Sequence, residues 1–224
     1  MKLKRLRQCM VHVDYFTDVL CIWAFIGEKR LAEVQANLAE EIEVNLLFLP
    51  NFSACHQKIN KGWSSKGGFN GYAEHVREVA EKFEITLHPD TWFKVRPSTS
   101  LLAHSVIKSI ANTAGPEKAA QYCSSVRNEF FKNAQDISSL TVLKAAAEKL
   151  NINWHAVMND FNSGHGLAKL HEDFLLAKDY QITVSPAWVF NEGRQRLIGN
   201  VGYRVIEANL RELIEQKPMP QLWC

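Results

Sequence analysis

Hydrophobic residues near the N-terminus predict two strands with a helix between them. Residues 9–15 form a mainly apolar run that reads as a buried strand, and residues 43–49 form a second such run. Near-continuous apolarity is typical of a strand that is covered on both faces of its sheet. Residues 22–39 instead carry apolar side chains at the spacing of an amphipathic helix. This order predicts a βαβ unit with two parallel strands.

The middle of the chain predicts helices with no strand among them. Residues 50–70 contain three glycines and a proline, and they are predicted to form a long irregular loop. Helical patterns follow over residues 72–83, 100–112, 116–132, 140–150, 153–161 and 165–180. We therefore expect a helix-dominated insertion in the middle of the chain.

Short strands return near the C-terminus. Residues 187–191 and 196–198 predict two strands joined by a tight turn, and residues 203–215 predict a last helix. The sequence thus predicts an α/β fold whose sheet comes from both ends of the chain. We assign residues 1–60 and 181–216 to one discontinuous domain, residues 70–180 to an inserted all-helical subdomain, and residues 217–224 to a tail.

Composition and charge exclude several classes of function. The 26 basic and 24 acidic side chains are interspersed, so the sequence predicts no surface of the kind that binds nucleic acid or a membrane. No apolar run approaches the length of a membrane span. The apolar run after the basic N-terminus is too short for a signal peptide, so we expect a cytoplasmic protein. The five cysteines lack metal-ligand spacing, which predicts free thiols and no metal site.

One cysteine, Cys21, stands where a strand ends and a helix begins. The N–H groups and the partial positive charge at a helix N-terminus favour the thiolate over the thiol. Because the thiolate is the nucleophilic form of cysteine, this position predicts an activated nucleophile with a lowered pKa. The alternative is a buried structural cysteine, which is the commoner role of an isolated cysteine.

Three segments stand out: DYFTDVLCIWAFIG at residues 14–27, HPDTWFKVRPSTSLLAHSV at residues 88–106, and VSPAWVFNEG at residues 184–193. Together they resemble the DsbA-like family of the thioredoxin superfamily. The chain is similar to FrnE-like oxidoreductases and to the branch of 2-hydroxychromene-2-carboxylate isomerases and kappa-class glutathione transferases. The resemblance covers nearly the whole chain and implies a thioredoxin-like fold with an inserted all-helical subdomain. The second cysteine of the family's CPWC motif is Ala24 here, so the local route for resolving a mixed disulfide is lost.

The resemblance also implies what surrounds the catalytic Cys21. Pro186 stands at the family's cis-proline beside the nucleophile, although most X–Pro bonds are trans. Ser185 would offer its backbone to an extended substrate and bring its hydroxyl near the sulfur. Trp23 would be partly exposed and would shape the apolar surface around the thiol.

Four further candidates each have an alternative reading. Thr99 and Ser100 stand where the glutathione-using branch faces its active site, although a helix N-cap explains them equally well. Asn200 lies where that branch has an Asp-Arg pair for the glutamyl end of glutathione. The acidic residue is missing, but Asn200 and nearby N–H groups can still bind a carboxylate. Cys55, in the predicted loop, is a candidate resolving thiol or a free loop cysteine.

These features predict a thiol–disulfide oxidoreductase that acts through the single thiolate of Cys21. It would have no tightly bound cofactor and would use glutathione as the external thiol. Its partner would be a disulfide-containing protein or a small thiol or organic substrate, and the isomerase-like relatives imply a homodimer. One alternative is a glutathione-dependent isomerase or transferase of a small organic substrate. Another is a redox-inactive, thioredoxin-like binding module.

Overall fold

The computed structural model describes residues 10–215, which form four strands and nine α-helices. The strands are β1 (Val11–Thr17), β2 (Ile42–Phe48), β3 (Ala187–Phe190) and β4 (Gln195–Ile198). The helices are α1 (Ile22–Asn37), α2 (Cys55–Trp63), α3 (Gly68–Lys82), α4 (Leu101–Ala114), α5 (Pro116–Phe131), α6 (Leu140–Lys149), α7 (Trp154–Asn162), α8 (His165–Asp179) and α9 (Tyr203–Glu215). Cys9, Cys224 and the predicted tail at 217–224 lie outside the described residues.

The sheet has the order β2-β1-β3-β4, so its two central strands come from opposite ends of the described chain. β1 pairs in parallel with β2 along its whole length, from Val11 opposite Ile42 to Thr17 opposite Phe48. β3 pairs antiparallel with β1, and β4 pairs antiparallel with β3. The predicted α/β, thioredoxin-like fold is confirmed. The turn that carries Cys21 leaves the carboxyl end of a central strand.

The predicted loop over residues 50–70 is wrong in its central part, which is helical. Helix α2 starts at Cys55 and is followed by a 3-10 turn at Ser64–Lys66 and then by α3. Cys55 and Ile59 are the two fully buried side chains of α2, four residues apart on one face. The glycines and lysines around this short stripe obscure the helical period in the sequence.

Buried apolar side chains join the helical middle of the chain to the turn before α1. The largest cluster includes Val19, Leu20 and Cys21 and continues through α2 and α3 into α4, α5, α6, α7 and α8. A second cluster packs α1 and α9 against β1 and β3. The helices between β2 and β3 therefore share one core with the turn that presents Cys21, and they form its buried surroundings.

An ion pair from the helices covers part of the edge strand β2. Lys108 Nζ on α4 donates to the Leu46 carbonyl at 3.0 Å, and Asp173 Oδ2 on α8 accepts the Phe48 N–H at 2.9 Å. The two side chains also pair with each other at 2.8 Å. An unpaired strand edge exposes backbone donors and acceptors that can recruit another strand. Here the helical insertion satisfies two of these groups, which fixes α4 and α8 to the sheet.

Candidate functional site

Cys21 is the N-cap residue of α1, with an extended backbone before the first helical turn. Its own N–H closes the preceding turn by donating to the Asp18 carbonyl at 3.1 Å. The side chain is nearly buried, with 8% of the residue exposed. Its thiol donates a hydrogen bond to the backbone carbonyl of Ser185 at 3.3 Å. The sulfur thus lies between a helix N-terminus and the loop before β3.

Burial raises the pKa of the Cys21 thiol above its usual value. The Ser185 side chain and the N–H groups of Ala24 and Trp23 favour the thiolate, but they do not offset the loss of hydration. The lowered pKa predicted from the sequence is therefore wrong. The helix N-terminus acts in the expected direction, and the neutral thiol is nevertheless the resting form because the sulfur is shielded from water.

The peptide bond between Ser185 and Pro186 is cis, the isomer that the family resemblance implied. The Ser185 carbonyl accepts the thiol hydrogen of Cys21. The Ser185 hydroxyl accepts the N–H of Asp18 at 3.0 Å and also interacts with the sulfur, as the resemblance implied. Gly27, one turn and a half into α1, faces this proline: a Cβ there would lie 3.8 Å from Pro186 Cγ. The loop before β3 therefore packs directly against the helix that Cys21 caps.

A buried polar network lies behind the Cys21 turn, centred on Asp18. Asp18 is fully buried, and its Oδ2 accepts the N–H of Phe52 at 3.0 Å and the hydroxyl of Ser100 at 2.9 Å. Ser100 is itself fully buried, so its hydroxyl serves this network. Thr99 makes a local contact, in which its Oγ1 accepts the N–H of Leu101 at 3.0 Å.

His104 completes the network from α4. Its Nε2 accepts the N–H of Val19 at 3.2 Å and lies 3.8 Å from Asp18 Oδ1. Burial lowers the pKa of His104 well below its usual value, so the ring is neutral. The ring stacks on Phe48, with centroids 4.3 Å apart. His104 is thus a core residue of the turn that presents the thiol.

Trp23 lies two residues after Cys21, in the first turn of α1, and is half-buried. The rings of Trp23 and Phe83 meet edge to face, with their centroids 5.9 Å apart. The Arg30 guanidinium lies 6.0 Å from the centre of the Phe83 ring. Arg30 also donates to Asn200 Oδ1. Together with Pro186, Arg30 and Asn200 line a small cleft beside the loop before β3. A guanidinium with an amide beside it is suited to binding a carboxylate.

Cys55 is less available than its predicted loop position implied. It is fully buried at the start of α2, and its thiol donates to the Phe52 carbonyl at 3.3 Å. Burial raises the pKa of this thiol to about 12. Cys21, Cys55 and Cys123 are all free thiols in the described residues. The structure brings Cys21, Ser185 and Pro186 together, and it connects Ser100 to them through Asp18.

Two other features, a metal site and a membrane-spanning helix, are not found in residues 10–215. No group of three or more histidine, cysteine or acidic side chains there could hold a metal ion. No helix in the same range has the length and apolarity to cross a membrane.

A cavity of about 450 Å³ lies between α3 and the chain around His88, lined by residues such as Ala73, Arg77, Ile85 and Phe93.

The sequence does not indicate that Asp18 and His104 belong to the site, because neither has a partner at a recognisable spacing. Ser100 lies 82 residues from Asp18 along the chain, so the contact depends on tertiary packing. The one available signal was an acidic residue within three positions of Cys21 in an otherwise apolar segment.

Comparison with known proteins places this geometry in a family. The family model described as Thioredoxin matches residues 15–213. Among curated proteins, the chain is similar to the ClpXP adapter protein SpxH of Halalkalibacterium halodurans, with 22% identity over 228 residues. That match covers 97% of this chain and 72% of the relative.

Solved structures of DsbA-like proteins share the fold. A probable DsbA oxidoreductase from Streptomyces coelicolor has a TM-score of 0.73 and 13% identity, covering 95% of this chain and 94% of its own. The cytosolic disulfide reductase DsbM from Pseudomonas aeruginosa has a TM-score of 0.67 and 14% identity, covering 90% and 99%. A 2-hydroxychromene-2-carboxylate isomerase has a TM-score of 0.63 and 15% identity, covering 90% and 95%. Because the family model spans nearly all of the described residues, the chain belongs to the thioredoxin family, with a fold of the DsbA-like kind.

Proposed function

We propose that the protein is a thiol–disulfide oxidoreductase that exchanges disulfides through the single thiol of Cys21. The observation that carries this proposal is the position of that thiol, at the N-terminus of α1 and hydrogen-bonded to the Ser185 carbonyl beside Pro186. The names of two structural neighbours, a DsbA oxidoreductase and a disulfide reductase, support the reaction class. The fold alone does not decide the reaction, so the proposal rests on the site.

Exchange begins when the Cys21 thiol releases its proton to solvent and the thiolate attacks one sulfur of a disulfide. A new S–S bond forms to Cys21, the substrate S–S bond breaks, and the departing thiolate takes up a proton. A glutathione thiolate then attacks the mixed disulfide and releases Cys21. For a substrate that is a mixed disulfide with glutathione, the substrate sulfur is reduced to a thiol, and the added glutathione is oxidised as it joins the glutathionyl group of the substrate in glutathione disulfide. The N–H groups of Trp23 and Ala24 stabilise Cys21 as leaving thiolate.

Two observations support glutathione as the external thiol. Arg30 and Asn200 lie together beside Pro186, where the guanidinium and the amide suit a carboxylate of the tripeptide that docks on the surface. One structure of DsbM, with a TM-score of 0.65 to this chain, contains glutathione. We place the reaction in a reducing compartment such as the cytoplasm, in keeping with the name of that cytosolic enzyme and with the three free thiols among the described residues.

The test is to mix the reduced protein with glutathione disulfide and follow its intact mass. We expect one glutathione adduct, which peptide mapping assigns to Cys21 and which added reduced glutathione removes. Turnover of a glutathionylated peptide should follow the same dependence on Cys21. Absence of an adduct on Cys21 over hours, in a protein that remains folded, would reject the proposed function.

Restoring the second cysteine should change how the mixed disulfide is resolved. Ala24 is fully buried three residues after Cys21, and its N–H faces the sulfur. We expect Ala24→Cys to supply a neighbouring thiol that attacks the mixed disulfide and releases substrate without external glutathione. Release of a fluorescent peptide thiol in the absence of glutathione measures this. Ala24→Ser is the matched control, and it should remain dependent on glutathione.

A binding module is the second candidate, favoured by one comparison. The curated relative is named as an adapter protein for ClpXP, and Ala24 removes the usual dithiol. In that case the protein would bind a ClpXP substrate through its surface, and Cys21→Ser would leave the binding unchanged. The isomerase neighbour supports a third reading, which requires turnover of a conjugated organic compound that depends on added glutathione.

A further inference from the structure

Asp18 builds the turn that presents the reactive thiol from both its side chain and its main chain. Its Oδ1 accepts the N–H of Leu20 at 2.9 Å, and its carbonyl accepts the N–H of Cys21 at 3.1 Å. Its own N–H donates to Ser185 Oγ at 3.0 Å. The same residue therefore fixes the thiol's turn and ties that turn to the loop whose carbonyl accepts the thiol hydrogen.

The second carboxylate oxygen fixes the turn to the helical insertion. Asp18 Oδ2 accepts the N–H of Phe52, which precedes α2, and the hydroxyl of Ser100, which precedes α4. All three residues are buried, so the carboxylate lies in an apolar interior, where it accepts three hydrogen bonds, from Leu20, Phe52 and Ser100. A buried carboxylate that accepts several hydrogen bonds can remain ionised, and its charge then acts strongly on neighbours because water does not screen it.

We propose that Asp18 is a positioning residue for the Cys21 thiol. Its carboxylate fixes the turn in place, and its negative charge opposes ionisation of the thiol at neutral pH. This inference rests on the proposed function, because it takes Cys21 as the reacting group. It implies that the resting protein holds its nucleophile as a thiol, which protects the thiol from unspecific oxidation.

Six other titratable groups face Asp18 from the elements packed around it. They are Cys21, Cys55 on α2, Tyr72 on α3, His104 on α4, and Cys123 and Arg127 on α5. Burial keeps His104 neutral by lowering its pKa, and it raises the pKa of Cys123 to about 11. Burial also raises the pKa of Cys55 to about 12 and the pKa of Tyr72 well above its usual value. Burial raises the pKa of Asp18 to about 6, so its charge is the one in this set that changes between about pH 5 and pH 8.

The pH profile of Cys21 alkylation by iodoacetamide therefore reports on Asp18. Below its pKa Asp18 is neutral, so the thiol ionises more readily than an extrapolation from higher pH implies. The logarithm of the wild-type rate should rise with pH, rise less steeply around the Asp18 pKa of about 6, and then regain its slope. This shallower stretch is the flat part of the profile. Asp18→Asn removes the charge. We expect one straight rise and alkylation about tenfold faster at neutral pH, which corresponds to about one unit of thiol pKa.

Two further variants separate the effect of the Asp18 charge from other effects of substitution. Asp14→Asn makes the same change on β1, where Asp14 contacts Asn45 outside this network, and it should leave the profile unchanged. Ser100→Ala keeps the Asp18 charge but removes one of the hydrogen bonds that stabilise it. The flat part of its profile should therefore move to higher pH. This variant decides the question if Asp18→Asn does not fold, as judged by circular dichroism.

The outcomes of this experiment differ from those that test the proposed function. A wild-type profile without a flat part overturns the inference, as does a folded Asp18→Asn protein with the wild-type profile. A Ser100→Ala profile with an unmoved flat part also overturns it. Because alkylation needs no disulfide turnover, each of these results leaves thiol exchange at Cys21 standing. Conversely, failure to form a glutathione adduct rejects the proposed function while the alkylation profile can still confirm the role of Asp18.

Discussion

We expect Cys21→Ser to abolish glutathione adduct formation and disulfide exchange, with at least about a thousandfold loss of rate. Serine is not a sulfur nucleophile, and no S–S bond to residue 21 can form without the thiol. The variant should remain folded, because a serine hydroxyl can donate to the Ser185 carbonyl as the thiol does. Stopped-flow or intact-mass kinetics with a glutathionylated peptide measure the loss, and circular dichroism checks the fold.

Cys55→Ser is the matched control for that experiment. Cys55 is buried at the start of α2, and its thiol donates to the Phe52 carbonyl, a bond that serine can also make. We expect exchange at the wild-type rate, since a thiol with a pKa near 12 and no exposure is poorly placed to resolve a mixed disulfide. Accumulation of a Cys21 mixed disulfide in Cys55→Ser would instead identify Cys55 as the resolving thiol. Adducts that persist in Cys21→Ser would place the chemistry elsewhere.

The sequence places Cys21 correctly at the start of a helix but misjudges the ionisation of its thiol, and the reason is physical. Position along the chain reveals that Cys21 follows a strand and precedes a helix, and this determines the helix-terminus effect. The dehydration of the sulfur depends on side chains from α2 to α8 that close over the turn. Dehydration outweighs the local effect here, and no pattern near Cys21 records which distant residues cover it.

The same distinction holds for the fold: elements with a clear local pattern could be predicted from the sequence, and contacts between distant segments could not. The helices from α4 to α9 follow apolar periods long enough to read, and their predicted bounds lie within about two residues of the observed ones. Helix α2 buries two side chains in a polar and glycine-rich segment, so its period is too weak to recognise. The contacts of Asp18 with Phe52 and Ser100 likewise join segments that are 34 and 82 residues away.

A buried ion pair connects the sheet domain to the helical insertion. Arg127 on α5 is 2% exposed, and its guanidinium contacts Glu28 on α1 at 2.6 Å. It also donates to the hydroxyl of Thr17 at the end of β1, and Ser124 donates to the same Glu28 oxygen at 2.8 Å. Three elements that surround the Cys21 turn thus meet at one charged pair, so the pair should matter for stability well beyond an ordinary surface contact.

Arg127→Met should lower the free energy of unfolding by about 3–5 kcal/mol, because it leaves the Glu28 carboxylate partly buried without its cation. Urea denaturation followed by circular dichroism measures the loss. Arg77→Met is the matched control: Arg77 is exposed and pairs with Glu74 and Glu81 on the surface of α3, so its removal should cost less than about 1 kcal/mol. Losses of equal size in the two variants would show that the helical insertion does not depend on the Arg127 pair for its attachment to α1 and β1.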